Sequence, residues 1–235
     1  MKVSVIIPAR NEERFIPRCL ESIKQAVEQI ENEVETVVVL NRCTDKTEEI
    51  ARRYGAVIAR EDAQNLSMIR NAGAAAASGE ILVTIDADSW MSPGTLREVC
   101  AKIQTERYVG GGSLVRPERL SVGIVCSIAA VLPYLARHGV SFGMFWCKRS
   151  DFEVIDGFNP EFVTIEDIDF ANRLRRHGRA SGRKFGTVWR HPITTSCRKF
   201  DEFGDWHLIT KRGFLKRVFR GNDTAAGDYW YKVDR

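Results

Sequence analysis

The chain of 235 residues has little of several features that would assign it to a specialised class of protein. It has no Cys-x-x-Cys pair; its six cysteines lie far apart, and we expect them to be reduced, as in a cytosolic protein. The formal net charge is only +4, which is too small to indicate nucleic-acid binding by itself, so no nucleic-acid partner is predicted. The N-terminus enters a predicted strand directly, so no signal peptide is expected.

Long hydrophobic runs are also absent. The longest, residues 122–136, is shorter than the ~20 residues that a membrane-spanning helix needs, and it contains Pro133. We therefore predict a buried or interfacial helix there. The chain does contain 44% hydrophobic residues, enough for one sizeable globular domain whose core supports a deep ligand cleft.

The first hundred residues alternate between predicted strands and helices. Apolar, β-branched runs predict strands at residues 3–7, 34–40, 57–59 and 81–85. The segments between them have helical periodicity, and Asn11 is placed to cap the first helix. This alternation predicts an α/β fold in which helices flank a doubly wound, mainly parallel central sheet.

The second half of the chain is less regular. Strands are predicted at residues 108–114, where three consecutive glycines permit close approach by another backbone, and at residues 140–148. A helix follows from residue 164 to 177, with Gly178 as its stop. We expect the C-terminal region as a whole to be helical or irregular.

Two carboxylates end the fourth predicted strand. Asp86 and Asp88 are spaced i, i+2, so in an extended chain their side chains project from the same face. Open α/β sheets bind ligands at the carboxyl ends of their strands, and a divalent cation bridging to phosphate oxygens would relieve the repulsion between the two carboxylates. Taken alone, the pair has a simpler explanation, because Asp is common where a strand exits into a turn.

Five short motifs occur together in the order, and with similar spacing, of one enzyme family: residues 4–12 (SVIIPARNE), 70–73 (RNAG), 85–88 (IDAD), 157–158 (GF) and 166–169 (EDID). Over residues 3–180 the chain resembles family 2 glycosyltransferases. The resemblance implies the GT-A fold, a single nucleotide-sugar-binding α/β domain. We accordingly assign residues 1–197 to this domain, with a nucleotide-sugar-binding half (1–115) and an acceptor-binding, catalytic half (116–197). Residues 198–235 form a basic, aromatic extension.

The resemblance also implies roles for individual residues. Asp88 would bind Mn²⁺ or Mg²⁺, and Asp86 would contact the metal or the donor ribose. His191 is either a third metal ligand or an ordinary hydrogen-bonded histidine. The residues expected around a UDP- or GDP-sugar donor are Pro8, Ala9, Arg10, Glu12, Asn41, Asp45, Arg70, Asp86, Ala87 and Asp88.

Two of these positions carry an alternative. Arg70 is expected to reach the donor phosphate or base, and otherwise forms a surface salt bridge. The residue before Asn41 is Leu40, where the family commonly has a carboxylate, so a group that would read the base edge is missing and uracil specificity is in doubt.

Asp167 is the expected catalytic base. The resemblance places the base at the second residue of Glu166-Asp167, where it would accept the proton of the acceptor hydroxyl during an inverting attack on the anomeric carbon. The alternative is that Asp167 only caps the helix that starts near Thr164. The chain lacks the Gln-x-x-Arg-Trp signature of processive synthases, which favours transfer of a single sugar, as by a hexosyltransferase.

Two rival functions are weaker. A sugar-phosphate nucleotidyltransferase would need a glycine-rich basic loop after the first strand, and this chain has Pro-Ala-Arg-Asn-Glu there. A non-catalytic nucleotide-sugar-binding module would be expected to have lost the Glu-Asp or the Asp-x-Asp pair, and both are present.

The location of the protein leaves two possibilities open. Basic residues interleaved with aromatics between Arg198 and Arg220 suit an anionic membrane surface near a sugar or lipid-linked acceptor. Alternatively, the aromatics pack under the sheet and the cations form a solvated face. We therefore expect a cytoplasmic enzyme, with peripheral contact to the inner face of the membrane as the open question.

Overall fold

The computed structural model describes residues 1–138, 143–162 and 165–210. The strands are β1 (Val3–Ala9), β2 (Val34–Leu40), β3 (Val57–Arg60), β4 (Ile81–Ile85), β5 (Ser89–Trp90), β6 (Tyr108–Pro117), β7 (Met144–Lys148) and β8 (Lys184–Thr195). The helices are α1 (Ile16–Val27), α2 (Thr47–Arg53), α3 (Leu66–Ala76), α4 (Thr95–Gln104), α5 (Val122–His138), α6 (Arg149–Val154), α7 (Glu166–Ala180), α8 (Arg198–Phe203) and α9 (His207–Thr210).

All eight strands belong to one sheet in the order β3-β2-β1-β4-β7-β6-β8-β5. Strands β3, β2, β1 and β4 are parallel to one another, as the strand–helix alternation predicts. Strand β7 then pairs antiparallel with both β4 and β6, while β6 and β8 run parallel and β5 pairs antiparallel with β8. The second half is thus more regular than predicted, because β7 and β8 extend the sheet.

Strand β4 lies at the centre of the sheet and is buried on both faces. Ile81, Val83 and Ile85 point into the core that α1 and α4 cover, whereas Leu82 points into the opposite core under α3 and α7. This alternation is the two-residue period of an extended chain. The prediction of a strand buried on both faces is confirmed.

Close packing of β6 depends on its glycines. A Cβ on Gly111 would lie 2.1 Å from the carbonyl oxygen of Gly186 on the neighbouring strand β8. Trp146 of β7 covers the same place and donates from its ring nitrogen to the carbonyl of Gly112, at 3.0 Å. The predicted close approach of another backbone to the triple glycine is therefore confirmed.

Two predicted helix boundaries are wrong. Asn11 does not cap α1: its backbone is left-handed (φ 51°), its side chain accepts from the Thr44 backbone N–H at 2.8 Å, and the helix begins only at Ile16. Gly178 does not end α7, which continues to Ala180. A side chain at 178 would lie 2.6 Å from Val109, so this glycine lets α7 pack against β6.

Some predictions fall partly or wholly outside the described residues. The predicted strand at 140–148 is described only from residue 143, the predicted capping residue Thr164 is not described, and the basic aromatic extension is described only to Thr210. The apolar run at 122–136 forms most of α5, as predicted. Within the described ranges, no helix combines the length and the apolar character needed to cross a membrane.

Candidate functional site

A cavity opens where β1 and β4 end. The two strands are parallel neighbours, so their carboxyl ends bring the segment after β1 beside the segment after β4. The cavity has a volume of about 290 Å³. Its walls are formed by Pro8, Glu12, Leu66, Asp86, Ala87, Asp88, Val115, Gly143, Thr195, Ser196, Arg198, Lys199 and Phe200.

Asp88 is fixed by the chain that leaves β8. The pairing of β5 with β8 places Thr195 opposite Ser89, and the next residue, Ser196, donates from its backbone N–H to the Asp88 carbonyl at 2.9 Å. The Ser196 hydroxyl donates to Oδ2 of Asp88 at 2.9 Å. Nε of Arg198 lies 2.9 Å from the same Oδ2. The Asp88 carboxylate is therefore held by two donors from one segment.

Glu12 holds the other side of Arg198. Its carboxylate is only 3% exposed, and both of its oxygens accept from Nη1 of Arg198 at 3.0 Å. Burial lowers the pKa of Arg198, but the neighbouring carboxylates of Asp88 and Glu12 outweigh burial and raise it. Arg198 is thus a fully charged guanidinium between two carboxylates of the cavity wall.

Arg70 forms a second, deeper cluster. Helix α3 starts with Asn65 as its cap and carries Arg70 inward, where the side chain is 2% exposed. Nη2 lies 3.2 Å from Oδ1 of Asp86, and Nη1 lies 2.5 Å from Oδ1 of Asp167 and 3.7 Å from Glu166. One buried guanidinium therefore joins a carboxylate at the end of β4 to the first turn of α7.

The deep cluster has more negative groups than positive ones, and this changes their proton affinity. Burial, together with the charge of Asp167, raises the pKa of Glu166 to about 8. Loss of hydration also raises the pKa of Asp86, although Arg70 opposes it. Among the described residues, Nε of Arg70 and Oε2 of Glu166 are buried without a hydrogen-bond partner. The cluster is therefore an incompletely satisfied polar network next to the cavity.

The alternative interpretation of Asp167 as a helix cap pairs it with Thr164, which lies outside the described residues, so that alternative stays open. The cap position of α7 is Ile165, which makes no side-chain capping bond, and the Asp167 carboxylate bonds to Arg70 instead. Arg70, in turn, is neither exposed nor part of the cavity wall. Arg70 contacts the wall residue Asp86, and Asp167, like Arg70, is not among the wall residues.

Several other predicted residues stabilise the loops around the cavity. Asn41 is 1% exposed and donates to the carbonyls of Glu61 and Ala63, which fastens the end of β2. Asp45 accepts from the backbone N–H groups of Glu13 and Thr47, both at 3.0 Å. These bonds lower the pKa of Asp45 against the opposing effect of burial. Neither side chain is part of the cavity wall.

The remaining predicted residues are divided between the cavity and its surroundings. Pro8, Glu12, Asp86, Ala87 and Asp88 line it. Ala9 ends β1 and Arg10 follows it, and neither lines the cavity.

His191 lies elsewhere. Its ring packs over Gly94 just before α4, and its backbone carbonyl accepts from Thr95 at 2.8 Å. His191 does not line the cavity, so we leave it out of the proposed metal site.

The donor set suits a divalent cation that shares its ligands with phosphate. In the part of the chain that is described, no group of three or more His, Cys, Asp or Glu side chains could hold a metal alone. Mg²⁺ and Mn²⁺ at nucleotide sites use hard oxygen ligands, typically one or two carboxylates plus substrate phosphates. Asp86 and Asp88 on one cavity wall meet that need, and the guanidinium between Glu12 and Asp88 shows that the wall attracts positive charge.

Sequence analysis missed the cavity-lining segment after β8, from which Ser196 and Arg198 contact Asp88. The sequence shows Arg198 only as the first basic residue of the extension. The signal that could have found them is their position just after a strand, because carboxyl ends of strands converge on the ligand edge of such a sheet. The direction and partner of β8 depend on contacts about a hundred residues apart in sequence, as in the 106-residue separation of Ser89 and Thr195.

Comparison with known proteins gives a consistent result. Rv0539 of Mycobacterium tuberculosis, an uncharacterized glycosyltransferase, is 33% identical over 148 residues, which cover 63% of this chain and 60% of that protein. Across the first curated relatives that it matches, the chain spans 27% to 60% of their length.

Two solved structures share the fold. Glucosyl-3-phosphoglycerate synthase from Mycobacterium tuberculosis, in complex with Mn²⁺, UDP and glucosyl-3-phosphoglycerate, has a TM-score of 0.63 at 22% identity and covers 96% of this chain and 80% of its own. The mannosyltransferase PcManGT from Pyrobaculum calidifontis, in complex with GDP-Man and Mn²⁺, has a TM-score of 0.64 at 22% identity. The match covers 83% of this chain and 56% of the mannosyltransferase chain. The fold is therefore of the GT-A type.

The family assignment rests on sequence as well as fold. The model of the glycosyl transferase family 2 matches residues 4–122, just over half of the chain, from the start of β1 to the start of α5. This span contains Asp86, Asp88, Glu12 and Arg70. The chain belongs to glycosyl transferase family 2.

Proposed function

We propose that the chain transfers one sugar from a nucleoside-diphosphate sugar to an acceptor hydroxyl, with inversion at the anomeric carbon. The observation that carries the proposal is the single guanidinium of Arg70, which joins Asp86 on the cavity wall to Asp167. A donor-binding carboxylate and a proton acceptor are thereby held in fixed relation. Glycosyl transfer is accelerated when the donor and the proton acceptor are held in such a fixed geometry.

Asp86 and Asp88 would hold a Mn²⁺ or Mg²⁺ ion against the donor diphosphate, with Asp88 as the principal ligand. When bound, the ion would supply positive charge to stabilise the departing nucleoside diphosphate. The relatives in the structural comparison contain Mn²⁺ with UDP or with GDP-Man, so both nucleotides are candidates here. The side-chain amide of Asn41 already donates to two backbone carbonyls. We therefore expect another residue to contact the nucleotide base.

Asp167 would act as general base. Its Oδ1 accepts from Arg70, which leaves Oδ2 to accept the proton of the acceptor hydroxyl. In that step the acceptor oxygen forms a bond to the anomeric carbon and the bond from that carbon to the phosphate oxygen breaks. The electron pair leaves with the nucleoside diphosphate, so charge and atoms balance without a further reactant.

The experiment is a thermal-shift panel of UDP-, GDP- and dTDP-sugars with and without Mn²⁺, because a ligand that binds the folded state raises Tm by mass action. We expect one donor class to raise Tm, more strongly with Mn²⁺ present. Asp88→Asn should abolish the Mn²⁺-dependent part, whereas Asp156→Asn, which removes an exposed carboxylate outside the cavity, should not. Binding without turnover of any nucleotide-sugar would favour a non-catalytic binding module instead.

We also propose peripheral contact with a membrane, close to a lipid-linked acceptor. Support comes from the exposed apolar side chains near the start of α5, Val122 at 73% and Val125 at 51%, with Trp206 half exposed beside Gly123. Most basic residues of the extension lie beyond Thr210 and are outside the described residues. Salt-sensitive sedimentation with anionic vesicles, weakened by charge reversal at Lys216 and Arg217, is the expected result. Failure to sediment at low salt would contradict it.

A further inference from the structure

We infer that Arg198 is an exchangeable counter-ion of the donor cavity: it neutralises Asp88 when no donor is bound, and it contacts the donor diphosphate once a divalent cation binds Asp88. The inference rests on the proposed function, because it concerns the same cavity. It adds a residue outside the span of the family match, and it assigns that residue two successive partners.

The first step of the argument is that Arg198 occupies the place where a cation would bind. Its Nε is 2.9 Å from Oδ2 of Asp88, and the Ser196 hydroxyl donates to the same oxygen. A divalent cation that binds this oxygen must displace a donor. Arg198 carries a positive charge and is repelled by the incoming ion, whereas Ser196 is neutral. Arg198 is therefore the group that leaves.

The second step is that the Arg198 side chain can leave Asp88 without leaving the cavity. Nη1 is held by both oxygens of Glu12 at 3.0 Å, and the guanidinium stacks 5.5 Å from the centre of the Phe15 ring. The contact with Glu12 is separate from the contact with Asp88, so it serves as a pivot when Nε is released. The side chain is 24% exposed and lies on the cavity wall, where a ligand can reach it.

The third step concerns charge. Glu12, Asp86 and Asp88 all line the cavity, and Arg198, on the same wall as Lys199, pairs with Glu12 and Asp88. A diphosphate entering such a cavity meets three carboxylates and needs positive charge beyond that of one metal ion. A guanidinium binds phosphate oxygens through its planar fork of donors. A diphosphate that is bound to a metal ion still has oxygens that can accept these hydrogen bonds. Arg198 can bind the diphosphate once its ion pair with Asp88 is broken.

The inference predicts effects of opposite sign on two ligands. Arg198→Gln should bind Mn²⁺ alone more tightly, by about tenfold, because a competing charge beside the carboxylate is removed. The same variant should bind the nucleoside diphosphate with Mn²⁺ more weakly, by roughly 10–100-fold, because a charge-assisted hydrogen bond is lost. A purely structural role for Arg198 would weaken both.

The measurement is isothermal titration of the full chain with MnCl₂ alone, and then with UDP, GDP or dTDP in saturating Mn²⁺. Arg53→Gln, which removes an equal charge from an exposed position on α2, is the matched control and should behave as wild type. If Arg198→Gln does not fold, Arg198→Lys replaces it. That variant keeps the charge but not the fork, so the affinity for the nucleotide should fall while the affinity for Mn²⁺ alone stays near that of wild type.

Each outcome has a definite meaning. Unchanged or weaker binding of Mn²⁺ to Arg198→Gln overturns the inference while leaving the proposed function intact, provided that wild type binds nucleotide with Mn²⁺. Nucleotide binding by wild type that is independent of Mn²⁺ also overturns it. If wild type binds none of the three nucleotides, the proposed function fails together with the inference.

Discussion

Replacement of Arg70 tests how the site is held together. Arg70→Met keeps most of the side-chain length and removes the charge that Asp86, Glu166 and Asp167 share. At an effective dielectric constant of about 20, each of the two shorter contacts supplies roughly 5–7 kcal/mol of attraction, most of which desolvation offsets. Breaking a buried pair on one side nevertheless costs about 3–5 kcal/mol, because the other charges stay buried without a partner.

The expected loss is large enough to measure by thermal unfolding. For a chain of this size, 1 kcal/mol corresponds to roughly 2–4 °C in Tm, so Arg70→Met should unfold about 6–20 °C below wild type at pH 8. Carboxylates that have lost their counter-ion take up protons more readily in the folded state. The deficit should therefore shrink as the pH falls towards the ordinary carboxyl range of about 4.

Arg149 provides the matched control. Its guanidinium donates to the backbone carbonyls of Ala74, Ala77 and Gly79 at the end of α3 and has no carboxylate partner among the described residues. Arg149→Met should lower Tm by an amount that does not depend on pH between 5 and 8. A loss of less than about 1 kcal/mol for Arg70→Met, or a deficit as independent of pH as that of the control, would refute the account of a shared buried counter-ion.

Three further predictions follow from single contacts. Asp167→Asn keeps an oxygen that accepts from Arg70, and Asp86 and Glu166 remain as partners of that guanidinium, so it should lower Tm by less than Arg70→Met does and leave nucleotide binding in place. It should lower transfer per folded molecule by about 10²–10⁴ with saturating donor; unchanged turnover would remove Asp167 as the base. Glu166→Gln should be more stable than wild type above pH 8, by a few kcal/mol at most, and equal to it below pH ~4.5. The reason is that the raised pKa of about 8 makes buried Glu166 favour folding only while it is protonated; superimposable pH profiles of Tm would contradict this. Gly111→Ala should lower Tm more than Gly182→Ala, because a Cβ at 111 meets the carbonyl of Gly186, whereas Gly182→Ala meets no neighbour and costs only the strain of a left-handed backbone, about 1 kcal/mol; a smaller loss for Gly111→Ala than for Gly182→Ala would show that the contact relaxes at little cost.

Local sequence patterns predicted the first half of the fold well. The strands at β1, β2 and β4 were found from apolar runs, although residues 86–88 leave β4 in a turn and not in the extended chain that the two-residue period assumes. These features depend on neighbours along the chain, which a sequence displays directly. The predicted capping role of Asn11 failed because its side chain accepts from the Thr44 backbone N–H, far away in sequence, and α1 begins only at Ile16.

The site was harder to predict where charges meet across the fold. Arg70 was expected to contact the donor, yet it is buried among carboxylates, and the sequence does not show that α7 brings Asp167 within reach of it. Arg198 was counted with a surface extension although it contacts Glu12. Both contacts were missed for one physical reason: residues about a hundred or more positions apart form the ion pairs, and sequence periodicity carries no information on such pairs.

The pairing of β5 with β8 has a consequence for how the protein is made. Parallel strands β1 to β4 are complete once the chain reaches Ile85, and they contact one another without help from later residues. The cavity, in contrast, closes only when Thr195 pairs with Ser89 across a loop of 106 residues, which is a late and slow kind of contact in folding. A nascent chain or fragment that ends before Lys184 therefore carries Asp86 and Asp88 but has neither the strand that fixes Asp88 nor Arg198.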